Sequence, residues 1–240
     1  MQGGMRYKIC ANLRPITRNR EPGAFAGQQT FGFFKLEWCS LRKKLFLKMN
    51  ASFDLNHNRL AGASKFAPVA EGLNTLSRID SKNAFNRYCR KACLLWNEHF
   101  GNAPVGTTAL FSEFLERINQ HSEGTILTPW GGVVIVLHEH PRVEKYLVIR
   151  RGGYLALEKH EQKDEHLEVR EGAGLILSRR AADQPLTVET LAPGNQFHFE
   201  PGMEHCLIGT ENLLVFERSV DPKGMDQDLV FIYEPDSGIS

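Results

Sequence analysis

The sequence lacks any uninterrupted apolar run of the roughly 18 residues that a bilayer-spanning helix needs. Its N-terminal apolar stretches are short and broken by charge, unlike the apolar centre of a secretion signal. Cysteine is sparse too, because five residues in 240 show none of the dense spacing of a secreted disulfide scaffold. We therefore expect a soluble, cytoplasmic protein with reduced thiols.

Excess charge of one sign is also missing from the chain as a whole, but the net charge of +1 hides an asymmetry. Residues 1–48 contain ten Lys and Arg against only Glu21 and Glu37, a local net charge of +8. Such an arm can bind nucleic acid or an anionic membrane, but its charges have no regular spacing. Because Met49-Asn50-Ala51-Ser52 is typical of a fresh N-terminus, we predict that residues 1–48 are a disordered extension. We expect neither a membrane nor a nucleic-acid partner.

Helical spacing of apolar residues dominates the middle of the chain. Two amphipathic helices are predicted between Ser81 and Gln120, separated at Gly101–Pro104, where Gly provides a C-cap and Pro ends the helix. A weaker helix is predicted over Ala63–Arg78. We assign residues 49–122 to a helical region that packs on the following domain or mediates oligomerisation.

From Gly124 onwards, short runs of residues that favour β-strands alternate with turn residues. This pattern is typical of a β-sandwich or β-barrel. We therefore assign residues 123–240 to a β-barrel, so that the protein is mainly β. The predicted strands are Val133–Leu137, Glu144–Ile149, Tyr154–His160, His166–Arg170, Gly174–Leu177, Leu186–Leu191, Gln196–Phe199, Cys206–Ile208, Leu213–Arg218 and Leu229–Tyr233.

Polar side chains in two of these strands point to one place. Alternation along a strand puts Glu158 and His160 on the same face, with Leu155 and Leu157 on the other. After a tight turn, the next strand alternates Glu165, Leu167 and Val169 with His166, Glu168 and Arg170. The first set is mostly apolar and should face inward, which turns Glu165 toward His160 and leaves His166 in solvent.

A fourth polar residue, His205, begins a later strand after the turn Pro201-Gly202. Two imidazoles and two carboxylates suit a divalent ion such as Zn²⁺, Mn²⁺, Fe²⁺, Ni²⁺ or Co²⁺. We predict that Glu158, His160, Glu165 and His205 bind this ion. The alternative is a pair of hydrogen-bonded core histidines with a carboxylate partner, and Glu158 can instead lie outside the ligand set or act as a base.

These residues also carry a family resemblance. Gly153 to Gly172 resembles the first cupin motif, and Gly194 to His205 resembles the second. Within the cupin superfamily, Thr125 to Pro235 is most similar to the C-terminal domain of type II mannose-6-phosphate isomerases, whose signature is Gln-x-His-x-x-Arg-x-Glu-His-Trp. That family's Pro-Trp-Gly strand is matched by Pro129-Trp130-Gly131. The corresponding stretch here is Glu158-Lys159-His160-Glu161-Gln162-Lys163-Asp164-Glu165-His166-Leu167.

The resemblance implies a double-stranded β-helix, or jelly roll, a bound divalent metal and a homodimer. It implies aldose–ketose isomerisation of a phosphorylated sugar, in which a carboxylate or a lysine moves a proton. Glu158 is the first candidate for that proton transfer, Glu217 is the second, and Lys163 occupies the position of the family's Arg.

Three departures from the signature leave two other functions open. Glu158 replaces Gln, Lys163 replaces Arg and Leu167 replaces Trp. Lys keeps the charge of Arg but lacks the fork that grips phosphate through two hydrogen bonds. A non-catalytic module that binds a sugar or metabolite is therefore the first alternative. An iron-dependent dioxygenase is the second, because cupins host many chemistries.

Overall fold

The computed structural model describes residues 52–54, 59–61, 79–101 and 108–236. The predicted extension at residues 1–48 and the helix predicted over Ala63–Arg78 lie outside the described residues. Within the described part of the chain, no helix has the length and apolar character needed to cross a membrane. The three domain boundaries stay predictions.

Two helices precede the barrel in the described part of the chain, and both lie at the predicted positions. Helix α1 runs from Lys82 to Phe100 and begins where the Ser81 hydroxyl accepts a hydrogen bond from the Ala84 amide. Helix α2 runs from Ala109 to Asn119 and begins in the same way, with the Thr108 hydroxyl bonded to the Phe111 amide. Such caps satisfy amide groups that the first helical turn leaves without partners.

The strands confirm all ten predicted runs and add three others, since β1, β2 and β3 were not predicted. Their bounds are β1 Ser52–Asp54, β2 Arg59–Ala61, β3 Thr125–Thr128, β4 Gly131–Glu139, β5 Arg142–Ile149, β6 Leu157–His160, β7 Asp164–Glu171, β8 Gly174–Arg179, β9 Thr187–Leu191, β10 Gln196–Phe199, β11 Glu204–Gly209, β12 Leu213–Val220 and β13 Leu229–Tyr233.

These strands form two antiparallel sheets. The seven-stranded sheet has the order β13-β6-β11-β8-β9-β1-β2, and the six-stranded sheet has the order β10-β7-β12-β5-β4-β3. Strands that are far apart in sequence are neighbours in both sheets, as in the pairing of β6 with β11. The fold is mainly β, and this strand order is that of the predicted jelly-roll barrel.

The barrel interior is filled by apolar side chains from both sheets. Ile176 and Leu207 from one sheet pack with Leu167, Val169 and Val215 from the other. Leu155 also lies in this inner cluster, which corrects the prediction that it points away from the site. The regular strand begins only at Leu157, so the alternation counted back from His160 does not extend to Leu155.

Each helix covers the outer face of one sheet. Helix α1 packs Phe85 and Leu95 against the seven-stranded sheet, where Leu157 is buried as predicted. Helix α2 packs Phe111 and Ile118 against the six-stranded sheet. The apolar side chains of these two outer clusters therefore find cover within the chain itself.

One buried polar side chain connects helix α1 to the barrel. Asn86 has no exposed surface, and its amide nitrogen donates to the carbonyl oxygens of Lys82 and Glu234. Its side-chain oxygen accepts from the Tyr154 hydroxyl at 2.6 Å and from the Asp236 amide at 2.8 Å. This residue joins the helix, the barrel and the C-terminal segment at one point.

Replacing Asn86 by Ala should destabilise the protein by roughly 2–4 kcal/mol, because several buried polar groups lose their partner at once. Urea unfolding followed by circular dichroism measures the change. Glu98→Ala, at an exposed position of the same helix, is the control and should change stability by less than about 0.5 kcal/mol. Equal stability of the two variants would show that Asn86 does not hold the helix to the barrel.

Candidate metal centre

Strand pairing brings the predicted ligands to one end of the barrel interior. Antiparallel pairing of β6 with β11 sets Glu158 directly opposite His205, so their side chains share a face. His160 follows on the same face of β6, and Glu165 approaches from β7 in the facing sheet. Glu165 is buried, whereas the side chain of His166 is 58% exposed, which confirms the predicted alternation along β7.

The carboxylate of Glu165 lies between the two imidazoles. Its Oε2 atom is 3.6 Å from His160 Nε2, and its Oε1 atom is 3.6 Å from His205 Nε2. Three of the four predicted ligands therefore meet through one carboxylate. The fourth, Glu158, interacts electrostatically with both Glu165 and His205.

Lys163, a predicted catalytic residue, lies inside this cluster and is only 2% exposed. Its Nζ atom is 2.6 Å from Glu217 Oε1 and 3.3 Å from Glu165 Oε2. The same nitrogen lies 2.8 Å from Asp226 Oδ1 and 3.5 Å from His160 Nε2. The lysine is thus surrounded by acceptors, and it is not a free cation at the barrel mouth.

Glu217, the other predicted base, also has strong partners. It is 2% exposed, and its Oε2 atom lies 3.3 Å from the ammonium of Lys145 on β5. With Lys163 on its second oxygen, Glu217 is held between two lysines. The alternation of β5 and β12 could have predicted this pair, since Lys145 and Glu217 sit opposite each other in register.

Two aspartates that the sequence analysis missed complete the cluster. Asp228 Oδ1 lies 2.9 Å from His160 Nδ1, and Asp226 Oδ1 bonds to Lys163. A carboxylate can only accept, so His160 carries its hydrogen on Nδ1 and turns Nε2 toward the interior. Both aspartates belong to a polar, turn-rich segment after β12, which resembles an ordinary surface loop in sequence.

Backbone contacts fix that loop over the end of the barrel. Asp228 Oδ2 accepts hydrogen bonds from the amides of Gln162 and Lys163, at 2.7 and 2.9 Å. Asp221 accepts from the amides of Gly224 and Asp226. These bonds place Asp226 and Asp228 beside His160 although the segment contains little regular structure.

Negative charge exceeds positive charge in this interior, because five carboxylates, from Glu158, Glu165, Glu217, Asp226 and Asp228, face two lysines. Burial raises the pKa of Glu158 to about 7, and the nearby carboxylates of Glu165 and Asp226 add to the shift. Burial alone would also raise the pKa of Glu165, but Lys163 and His205 outweigh it and hold that pKa well below its usual range. The pKa of His205 is raised by Glu165 and Glu158 against the opposing effect of burial.

The donor set fits a divalent cation. Two imidazoles and carboxylates are its usual ligands, and the excess negative charge calls for a cation. The buried Nδ1 atom of His205 has no hydrogen-bond partner among the described residues, and the buried Glu165 Oε2 has ion-pair contacts with Lys163 and His160 but no hydrogen bond there. A second cluster lies on the outer face of the barrel. Among the described residues, it is the one place where ligand atoms from three residues lie within 4.8 Å of one another, so the interior ligand atoms are further apart than these.

No protein-family profile and no curated protein sequence matches this chain. Solved structures that resemble part of this chain include the capsular polysaccharide assembling protein CapF of Staphylococcus aureus, with 16% identity over 45% of this chain and 34% of that one and a TM-score of 0.41. Bacillus subtilis oxalate decarboxylase gives 18% identity over 48% of this chain and 31% of that one, with a TM-score of 0.40. This chain spans about a third of the length of these proteins.

The pKa of Glu158 predicts a specific pH dependence of stability for the metal-free protein. Because folded Glu158 holds its proton more tightly than the unfolded chain does, its stabilising contribution is present below the ordinary carboxyl pKa and is lost as pH rises through about 7. In chelator, the free energy of unfolding should fall relative to Glu158→Gln between pH 5 and pH 8, by up to about 3 kcal/mol. Urea unfolding at several pH values measures this difference, and parallel pH profiles would contradict it.

Lys163→Met should destabilise the metal-free protein by about 3–5 kcal/mol, because Glu165, Glu217 and Asp226 lose a shared buried cation. Lys159→Met is a matched control, since Lys159 lies four residues earlier in the chain, next to His160 on β6 but on the opposite face of the strand. Chemical unfolding in chelator compares the two variants. A loss of stability no larger than that of the control would mean that the interior carboxylates do not depend on this lysine.

Proposed function

We propose that the barrel binds a divalent metal through His160, Glu165 and His205, with Glu158 as a fourth ligand or as a neighbouring base, and that it catalyses proton transfer on a small polar substrate. The observation that carries this proposal is the Glu165 carboxylate, which lies 3.6 Å from the Nε2 atom of each histidine in an interior rich in negative charge. Two imidazoles aimed at one buried carboxylate are the arrangement that a shared cation needs.

The protein's own residues prepare this site. Asp228 holds the His160 ring through Nδ1, and Phe199 stacks on the His205 ring with centroids 4.2 Å apart. Both contacts limit ring rotation, which keeps the two Nε2 atoms directed at Glu165. A bound divalent ion would supply Lewis acidity and a fixed point for substrate oxygen atoms.

Glu158 is the best placed of the three predicted catalytic residues to move a proton. Lys163 and Glu217 are almost fully buried and are bonded to each other. Within the described chain, the carboxylate of Glu158 makes no hydrogen bond or ion pair closer than 4 Å, and the residue keeps part of its surface exposed. A substrate in the barrel mouth can therefore reach its carboxylate without breaking an existing contact.

The specific reaction in this proposal is aldose–ketose isomerisation of a sugar phosphate such as mannose 6-phosphate. Its support is the sequence resemblance, which matches the motif residues His160 and Glu165 but departs from it at Glu158, Lys163 and Leu167. Such a reaction needs one group that removes a proton from one carbon and returns it to the next. Glu158 would serve in this role, and we keep a homodimer as the expected assembly.

A non-catalytic binding module is the second candidate, and one observation favours it. The Lys163 ammonium lies within 3.5 Å of both His160 Nε2 and Glu165 Oε2, so a cation of the protein itself already faces these two donors. If Lys163 stays in place, it competes with a metal for the same atoms. The barrel would then bind sugars or other metabolites without turning them over.

Metal analysis and an activity assay on the purified full-length chain separate these candidates. The isomerase proposal expects conversion of mannose 6-phosphate to fructose 6-phosphate, loss of that activity in chelator and recovery when a divalent ion is restored. Glu158→Gln should lower kcat by at least about 100-fold. Its content of bound metal should stay the same or decrease by a smaller factor than kcat. Lys159→Met is the control and should keep normal activity.

Two results would contradict the proposal of a metal-dependent enzyme. Turnover that persists after complete removal of metal would overturn the metal-dependent mechanism. A thermal shift with sugar phosphates but no turnover at any metal loading would replace the enzyme by the binding module.

A further inference from the structure

A second cluster of metal-ligating side chains lies on the outer face of the six-stranded sheet. Asp164 and His166 are two residues apart on β7, so both point outward, away from Glu165. His198 lies directly opposite His166 on the neighbouring strand β10. The three side chains are 38%, 58% and 45% exposed, respectively.

The three groups already approach one another closely. His198 Nε2 lies 2.9 Å from Asp164 Oδ2, and His166 Nε2 lies 3.4 Å from Asp164 Oδ1. The two imidazole rings are stacked, with centroids 4.1 Å apart and planes at 4°. One ligand atom from each residue lies within 4.8 Å of the other two.

These distances match the spacing that a metal ion requires. Ligand atoms about 2.1 Å from a tetrahedral zinc ion are about 3.4 Å apart from one another. The two separations from Asp164, 2.9 and 3.4 Å, lie at or below that value, and the stacked, exposed imidazoles need only side-chain rotation to turn both nitrogens toward one ion. The backbone needs no change, because paired strands hold all three residues.

The charged neighbours leave the cluster accessible to a cation. Arg218 on β12 lies opposite His166, but its guanidinium is 3.4 Å from Glu144 and also lies over the Phe216 ring. Arg170, further along β7, is paired with Glu168 at 3.0 Å. Both arginines thus have carboxylate partners of their own, while Asp164 contributes negative charge to the cluster.

We propose that Asp164, His166 and His198 form a second, surface metal site for a divalent ion of the later first-row series, Zn²⁺ in particular. Two imidazole nitrogens and one carboxylate oxygen are a donor set that such ions favour. The side chains supply three positions, which leaves at least one for water or for a group from another molecule.

This site is independent of the proposed function. It uses the outward face of β7, whereas Glu165 of the barrel interior uses the inward face of the same strand. Either site can bind metal when the other does not, so the failure of one proposal leaves the other standing.

Counting bound ions tests the surface site. Untagged full-length protein is titrated with Zn²⁺ by calorimetry and with Co²⁺ by visible absorption, for wild type, His198→Ala, His166→Ala and His138→Ala. His198→Ala and His166→Ala should each lose one equivalent of bound metal, or bind that equivalent at least about 100-fold more weakly. Loss of a residue that only hydrogen-bonds to a ligand already weakens metal binding by about 10- to 100-fold, and loss of the ligand itself should weaken it more. His138→Ala, at another exposed strand position, should match wild type.

The stoichiometry also tells the two proposals apart. One equivalent in wild type and none in His198→Ala would support the surface site and count against the interior one. Equal stoichiometry and affinity in wild type, His166→Ala and His198→Ala would overturn the surface site. Circular dichroism checks folding, and His198→Gln serves as a second variant of similar shape should His198→Ala fold poorly.

Discussion

The buried ammonium group of Lys163 is the interaction on which the polar end of the barrel depends. It bonds to Glu217 and Asp226 and contacts Glu165, all within 3.3 Å of Nζ. Carboxylates that are buried away from water repel one another, and their burial costs free energy unless a cation lies among them. Burial works against the charge of Lys163, but its three carboxylates outweigh that effect and raise its pKa well above the usual range. One lysine thus allows several acids to be buried together.

The rest of the site is arranged around that charge. Strands β6 and β11 contribute the imidazoles of His160 and His205 from one sheet, and strand β7 contributes Glu165 from the other. The loop after β12 then closes over them with Asp226 and Asp228. Because this loop is fixed by hydrogen bonds to the amides of Gln162 and Lys163, the orientation of His160 depends on residues almost seventy positions later in the chain.

Strand β7 shows how alternation gives one strand two different roles. Its inward residues, Glu165 and Leu167, belong to the barrel interior, whereas Asp164 and His166 project into solvent beside His198. A shift of one residue in the register would exchange the two sets and bury His166. The apolar residues Leu167 and Val169 prevent that shift, because they fill the core between the sheets.

The sequence alone determined the mainly β fold and the shared inward direction of the predicted ligand residues. The helices, ten strands and the inward direction of Glu165 follow from periodicity, which depends only on local geometry. Tertiary structure decided the rest. Asp226 and Asp228 could not be predicted, because a polar loop has no periodicity. Lys163 was predicted as a catalytic residue from the position of the family's Arg, but only the fold shows that it is buried among carboxylates. Likewise, His198 joins His166 only through strand pairing, which brings together residues that are 32 positions apart.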